Sequence, residues 1–171
     1  MARKRRPKHK PKPPKLKQET EVSFKFPMLH PDILKAVEGH ILPPEFNMED
    51  AGFDKKYPTH VMGRFACGNE DCPKKAWFSM KVAIVIRRYP GNRYNAVVFN
   101  QRCDSCKRLG TLTLDNDSYV ERVAYRLKKW AGVWMAVPEY RGRTGPPHMC
   151  ALCEGCKRGV CQQGKFPWSD D

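Results

Sequence analysis

The sequence predicts an α+β fold: a small antiparallel sheet, one long helix, and tight cysteine turns that tie the two together. Three observations predict it. Trp77 to Arg88 alternates apolar and polar side chains, and after the turn residues Tyr89-Pro90-Gly91-Asn92 a second strand runs from about Tyr94 to Gln101. Val120, Val123, Ala124, Leu127 and Trp130 recur at helical spacing. Cys103-Asp-Ser-Cys106-Lys107-Arg108 is echoed by Cys153-Glu-Gly-Cys156-Lys157-Arg158, two thiols around an acidic and a small residue, then a basic pair.

The chain has 171 residues, enough for one domain with a tail. Residues 1–22 are rich in Lys, Arg and Pro and have almost nothing to bury, so a disordered tail is expected. Residues 1–17 hold nine Lys or Arg and no acidic residue, which supplies most of the net charge of +14. Such an excess favours polyanions: RNA, DNA or an anionic membrane face. Lys4-Arg5-Arg6-Pro7-Lys8 reads as a nuclear address or a nucleic-acid tether, with a merely solvating tail as the plainer alternative.

An arm with a short helix is expected over 23–57. Pro31 suits a first helical turn, Ile33, Leu34 and Val37 share one face, and Gly39 ends the helix, giving about 31–39. Pro43-Pro44 prevents its continuation, and residues 41–60 read as irregular, with Phe46 and Phe53 pinning the arm to the core. His30, His40 and His60 lack ligand-like spacing and read as solvent-facing or packed.

In the strand from Trp77, Phe78, Met80, Val82, Ile84 and Ile86 are expected on one face, with Ser79, Lys81 and Arg87 on the other. In the returning strand Val97 and Phe99 share a face with Asn95 and Gln101. Leu109 to Leu114 reads as a third strand, turned by Asp115-Asn116-Asp117. Ser118 and Glu121 form the pattern of a capping box, and the helix stops at Gly132. Tyr140 to Pro147 reads as a flexible basic connector, and residues 163–171 as a short tail.

The chain lacks the apolar segment of a secretory signal and any run approaching the roughly 18–20 residues of a membrane span. It is therefore expected in the cytoplasm, the nucleus or both. In a reducing compartment eight cysteines, mostly in close pairs, point to metal rather than to four disulfides. Zinc takes four N or S ligands in a closed tetrahedron, so two structural Zn2+ ions need eight ligands. Eight cysteines and His148 offer nine candidates. The hairpin brings Cys103 and Cys106 back to Cys67 and Cys72, which gives one set; a crossed arrangement of early and late pairs is the alternative. The C-terminal set includes Cys153, Cys156 and Cys161, and spacing leaves His148 and Cys150 open as its remaining member.

Gly63-Arg64-Phe65-x-Cys67, Trp77, Asn100-Gln101-x-Cys103-x2-Cys106 and His148-x4-Cys153-x2-Cys156-x2-Gly159-x-Cys161 together resemble the 3CxxC-type zinc-finger family. Receptor-transporting proteins, zygote arrest proteins and many small fungal proteins share this domain. The resemblance covers about residues 58–162. It implies a zinc-ribbon-like domain there, with His148 as the ligand and Cys150 as the spare. The first pair departs from the pattern, being Cys67-x4-Cys72. Receptor-transporting proteins carry a C-terminal apolar anchor, and the sequence Phe166-Pro-Trp-Ser-Asp-Asp offers none.

Two closed sites leave zinc no open position, no His is followed two residues later by Glu, and no nucleophile elbow, P-loop or Rossmann fingerprint occurs. An enzyme and a small-molecule substrate are therefore not expected. Interleaved cations and aromatic rings suit single-stranded RNA, and zygote arrest proteins are RNA regulators, so the resemblance points the same way. The candidate RNA contacts are Arg87, Arg88, Lys107, Arg108, Arg122, Arg126, Lys129, Arg141, Arg143, Lys157 and Arg158. The alternative is a protein-interaction or trafficking adaptor for membrane proteins, as in receptor-transporting proteins.

Overall fold

The computed structural model describes residues 21–136 and 145–163. The tail up to residue 20, Arg141 and Arg143 in the basic connector, and residues 164–171 lie outside that description.

Six strands form one sheet: β1 (Ser23–Lys25), β2 (Glu45–Phe46), β3 (Lys55–Cys67), β4 (Ala76–Tyr89), β5 (Arg93–Phe99) and β6 (Gly110–Leu114). The order is β1-β5-β4-β3-β6, antiparallel throughout, with β2 added in parallel beside the start of β5. The helices are α1 (His30–Val37), α2 (Asn116–Trp130) and the one-turn α3 (Glu154–Lys157). Glu21 and Val22 are already held, because Asn100 donates from its side chain to the Glu21 carbonyl and from its backbone to the Val22 carbonyl.

β3 corrects the irregular reading of residues 41–60. Pro58 lies within this strand, although proline cannot donate to a ladder. Here it is tolerated because β3 pairs with β4 along its whole length, whereas β6 reaches only Gly63 to Cys67. At Pro58 the strand has a partner on one side only.

A bulge in β4 corrects the alternation. Between the pairs Val61–Val82 and Gly63–Ser79 the register advances two residues on β3 and three on β4. One extra residue inverts every side chain beyond it. Val82, Ile84 and Ile86 face the core as expected, but Trp77 joins them and Phe78 is turned to the opposite face, 55% exposed.

One face of the sheet is covered by α1 and α2. Ile33, Val37, Phe65, Val82, Ile84, Ile86, Tyr94, Val98, Tyr119 and Val123 interlock there, fully or almost fully buried. Each such side chain contributes roughly 1.5–3 kcal/mol. Asp115, not Ser118, is the N-cap of α2: its carboxylate accepts the Ser118 N–H at 2.8 Å. The Ser118 hydroxyl instead accepts the Met62 N–H at 3.0 Å, tying the helix start to β3. The C-terminus closes at Gly132, whose φ of 77° only glycine adopts easily, while Val133 N–H returns to the Lys128 carbonyl.

The other face carries a second, smaller core. Ala83, Val85, Val97 and Phe99 pack against Cys153 and Cys161 of the C-terminal segment. The stretches Val82–Ile86 of β4 and Val97–Phe99 of β5 are therefore covered on both sides, by helices on one and a cysteine-rich knuckle on the other.

Candidate metal centres

The first centre forms where two loops leave the same end of the sheet. Cys67 ends β3, Cys72 lies in the β3–β4 connection, and Cys103 and Cys106 lie in the β5–β6 connection. Cys67 and Cys106 sulfurs are 3.5 Å apart, Cys72 and Cys103 sulfurs 3.7 Å, and all four lie within 4.8 Å of one another. A tetrahedron with Zn–S bonds of 2.3 Å has an S···S edge of about 3.8 Å. The five-residue spread of the first pair still closes, because Cys67 N–H donates to the Lys75 carbonyl and Cys72 N–H to the Asn69 carbonyl. The Lys74–Asp104 ion pair at 2.6 Å joins the two loops.

The second centre gathers His148, Cys153, Cys156 and Cys161, again within 4.8 Å. His148 Nε2 is 3.3 Å from Cys156 Sγ and 3.6 Å from Cys161 Sγ. The corresponding N···S edge of a zinc tetrahedron is about 3.6 Å. Cys150 is exposed and outside this set, with its thiol 3.5 Å from the Gln163 carbonyl. The hairpin partition is the arrangement the side chains form, and the crossed one is not.

The echo in sequence is an echo in backbone. Lys107 N–H donates to Cys103 O at 2.9 Å, and Lys157 N–H to Cys153 O at 3.1 Å. The turns then diverge. Lys107 takes φ 62° and Arg108 returns its carbonyl to Cys103 N–H, whereas Arg158 extends α3 and Gly159 takes the positive φ, 67°. That later reversal brings Cys161 back to its site. Gly155 lies flat on the sheet: a Cβ there would meet Ala83 Cβ at 2.6 Å. At the first centre Gly110 performs a similar service beneath Trp77, whose ring stacks on Phe65 at 5.1 Å and 9°.

The two centres are stitched together. Gln101 and Cys153 form an antiparallel bridge, Arg102 N–H donates to the Leu152 carbonyl, and Glu154 N–H to the Asn100 carbonyl. The Glu154 carboxylate, almost fully buried, accepts from Arg102 at 2.6 Å and pairs with Lys157 at 3.0 Å.

The thiols behave as a donor set that needs a cation. Burial pushes Cys67 up to about 12, while the Arg108 backbone N–H draws Cys106 down to about 7. In the second centre burial pushes Cys156 up to about 12, and hydrogen bonds from Cys153, His148 and His60 pull Cys161 down while Cys153 is driven up. Crowded sulfurs cannot all ionise beside one another; a divalent ion lets them. The residues fit zinc, which at a closed four-ligand site supplies a structural cross-link.

The expected cation set divides. Arg87 pairs with Asp50 at 2.7 Å, and Arg88 grips Asp54 through two nitrogens. Arg126, expected as an RNA contact, is buried instead: it is 9% exposed, with its guanidinium 3.1 Å from the Tyr57 ring centroid. Lys157 pairs with Glu154, and Lys107 donates to the Asp104 carbonyl. Arg108, Arg122, Lys129 and Arg158 are exposed.

Two residues near the sites escaped the sequence reading. Phe78 was assigned to the core, and only the bulge exposes it. His60 lies 3.4 Å from Cys161 Sγ, 101 positions away in sequence, where no spacing rule could find it.

A family model described as a zinc-binding domain, the 3CxxC zinc ribbon, matches residues 60–159, more than half of the chain. No curated protein and no solved structure matches it.

Proposed function

The chain belongs to the 3CxxC zinc-ribbon family, and from that premise we propose that it is a non-catalytic, zinc-held platform for single-stranded RNA. Phe78 carries this reading. It stands on the sheet face away from the helices, and its cross-strand neighbour on β3 is the exposed Arg64. Along the strands this pair lies between Cys67 at the first centre and His60 beside the second. The flanking residues Ala66, Ala76 and Thr113 are small and exposed, so the strip is open. A ring on a rigid sheet offers a base a stacking surface, and a guanidinium beside it meets phosphate. Arg108 and the basic residues 1–17 add charge that draws a polyanion.

The alternative is an adaptor for membrane proteins. Among the described residues no helix is long and apolar enough to cross a membrane.

The test is fluorescence anisotropy with a labelled oligouridylate at several salt concentrations. Base stacking is worth about 1–3 kcal/mol per base, so Phe78→Ala should weaken binding about 5- to 160-fold while leaving zinc content unchanged. A chelator should abolish binding. Wild-type protein that fails to bind at low salt ends the proposal, and a cellular complex that survives RNase and follows membranes favours the adaptor.

A further inference from the structure

The second centre has a neighbour that its four donors do not require. β3 pairs His60 with Ala83, and Ala83 faces the knuckle, so the imidazole is carried to the same side. Its Nε2 lies 3.4 Å from Cys161 Sγ, and its ring centroid is 6.0 Å from that of His148. His148, Cys153, Cys156 and Cys161 already supply the four donors of a tetrahedral site. His60 therefore stands outside a complete set, against one sulfur.

We propose that His60 donates its Nε2–H to the zinc-bound thiolate of Cys161 and so anchors the C-terminal knuckle to β3. Three thiolates and one imidazole leave a zinc site with a net charge of minus one. An N–H aimed at sulfur spreads that charge and lowers the sulfur's reactivity. The contact also has a mechanical side. Cys161 is the last ligand of the C-terminal segment, whereas His60 belongs to the longest strand pair of the fold. His60 is thus a positioning residue: it holds a ligand in place without being one.

The experiment uses the full chain loaded with two zinc ions. Zinc transfer to a chromogenic chelator is followed for wild type, His60→Ala and His60→Gln, with the first centre's release phase as an internal control. Loss of an outer-shell partner typically costs about 10–100-fold in metal affinity. His60→Ala should speed release from the second centre by about that factor, keep a stoichiometry of two, and speed alkylation of Cys161. His60→Gln, which retains a side-chain N–H, should restore much of the difference. In cobalt-substituted protein the sulfur-to-metal charge-transfer band should shift in His60→Ala and less in His60→Gln. Unchanged release overturns the proposal. So does a stoichiometry of one, which would make His60 a ligand, or a His60→Gln variant as fast as His60→Ala, which would reduce the contact to packing. Should His60→Ala not fold, the cobalt spectrum of His60→Gln against wild type decides, an identical band counting against the hydrogen bond.

Discussion

Replacing Gly155 with alanine sets two local effects against each other. Gly155 sits in the single turn of α3, where alanine favours helix by about 1 kcal/mol. Its added methyl, however, would lie 2.6 Å from Ala83 Cβ, where carbons normally rest about 3.5–4.0 Å apart. Ala83 is fully buried in a central strand, and its Cβ cannot rotate away. The knuckle must lift by about 1 Å, also away from Phe99 and Cys161, whose Cβ atoms lie 3.4 and 3.5 Å from the new methyl. Overpacking of this kind costs about 1–3 kcal/mol, which outweighs the helix gain over most of that range. Because the lifted segment bears Cys153 and Cys156, the cost falls on zinc affinity at the second centre, about 5- to 160-fold before the helix gain is set against it. Competition with a chelator of known affinity measures it, the first centre serving as control. Ala83→Gly in the same chain removes the opposing methyl and should recover most of the loss, a coupling read by a double-mutant cycle. Wild-type affinity in Gly155→Ala, or no recovery in the double variant, refutes the close-approach argument.

Other perturbations separate neighbouring roles. His148→Ala should leave one zinc per chain and Cys150→Ser two, measured by elemental analysis. Arg126→Ala should lower the thermal midpoint, since a desolvated cation–π contact is worth about 2 kcal/mol, yet leave RNA affinity unchanged by anisotropy. At pH 7 the raised thiols Cys67 and Cys72 hold their protons while Cys106 is drawn down, so zinc entry should release at least two protons from this centre. Zinc affinity therefore rises with pH and is lost as pH falls, which a weakly buffered indicator titration follows. Glu154→Gln removes the buried charge shared by Arg102 and Lys157 and should weaken both centres in chelator competition, because the Arg102–Glu154 pair joins the chain beside Cys103 to the chain beside Cys153.

The metal ligands were legible because zinc chemistry leaves a covalent pattern: thiols at fixed short spacing, twice repeated. The hairpin was legible for a similar reason, since Pro90-Gly91-Asn92 marks a turn between two apolar runs, and the pairs it joins had to meet. What escaped depended on register. Nothing local in Ser79-Met80-Lys81 announces an extra residue, so Phe78 was placed inside. Pro58 obscured β3 because its tolerance depends on how far β6 extends, a property of another strand. Arg126 was counted among the candidate RNA contacts, while the partner that buries it, Tyr57, lies on the strand that was not foreseen. His60 was lost with that same strand.

The apolar strip formed by Ala83, Val85, Val97 and Phe99 gives zinc a role in the chain's behaviour among other molecules. Helices bury one side of the central strands permanently, by side-chain packing alone. The other side is shut by a segment that an ion helps to hold. Stripped of that ion, the protein would present an apolar surface at the middle of an intact sheet, the kind of surface that recruits copies of itself. Solubility is therefore expected to depend on metal supply. Light scattering of the chelated chain should rise with protein concentration and clear when zinc is restored; a chelated chain that stays monomeric at all concentrations would show that the strip finds another cover.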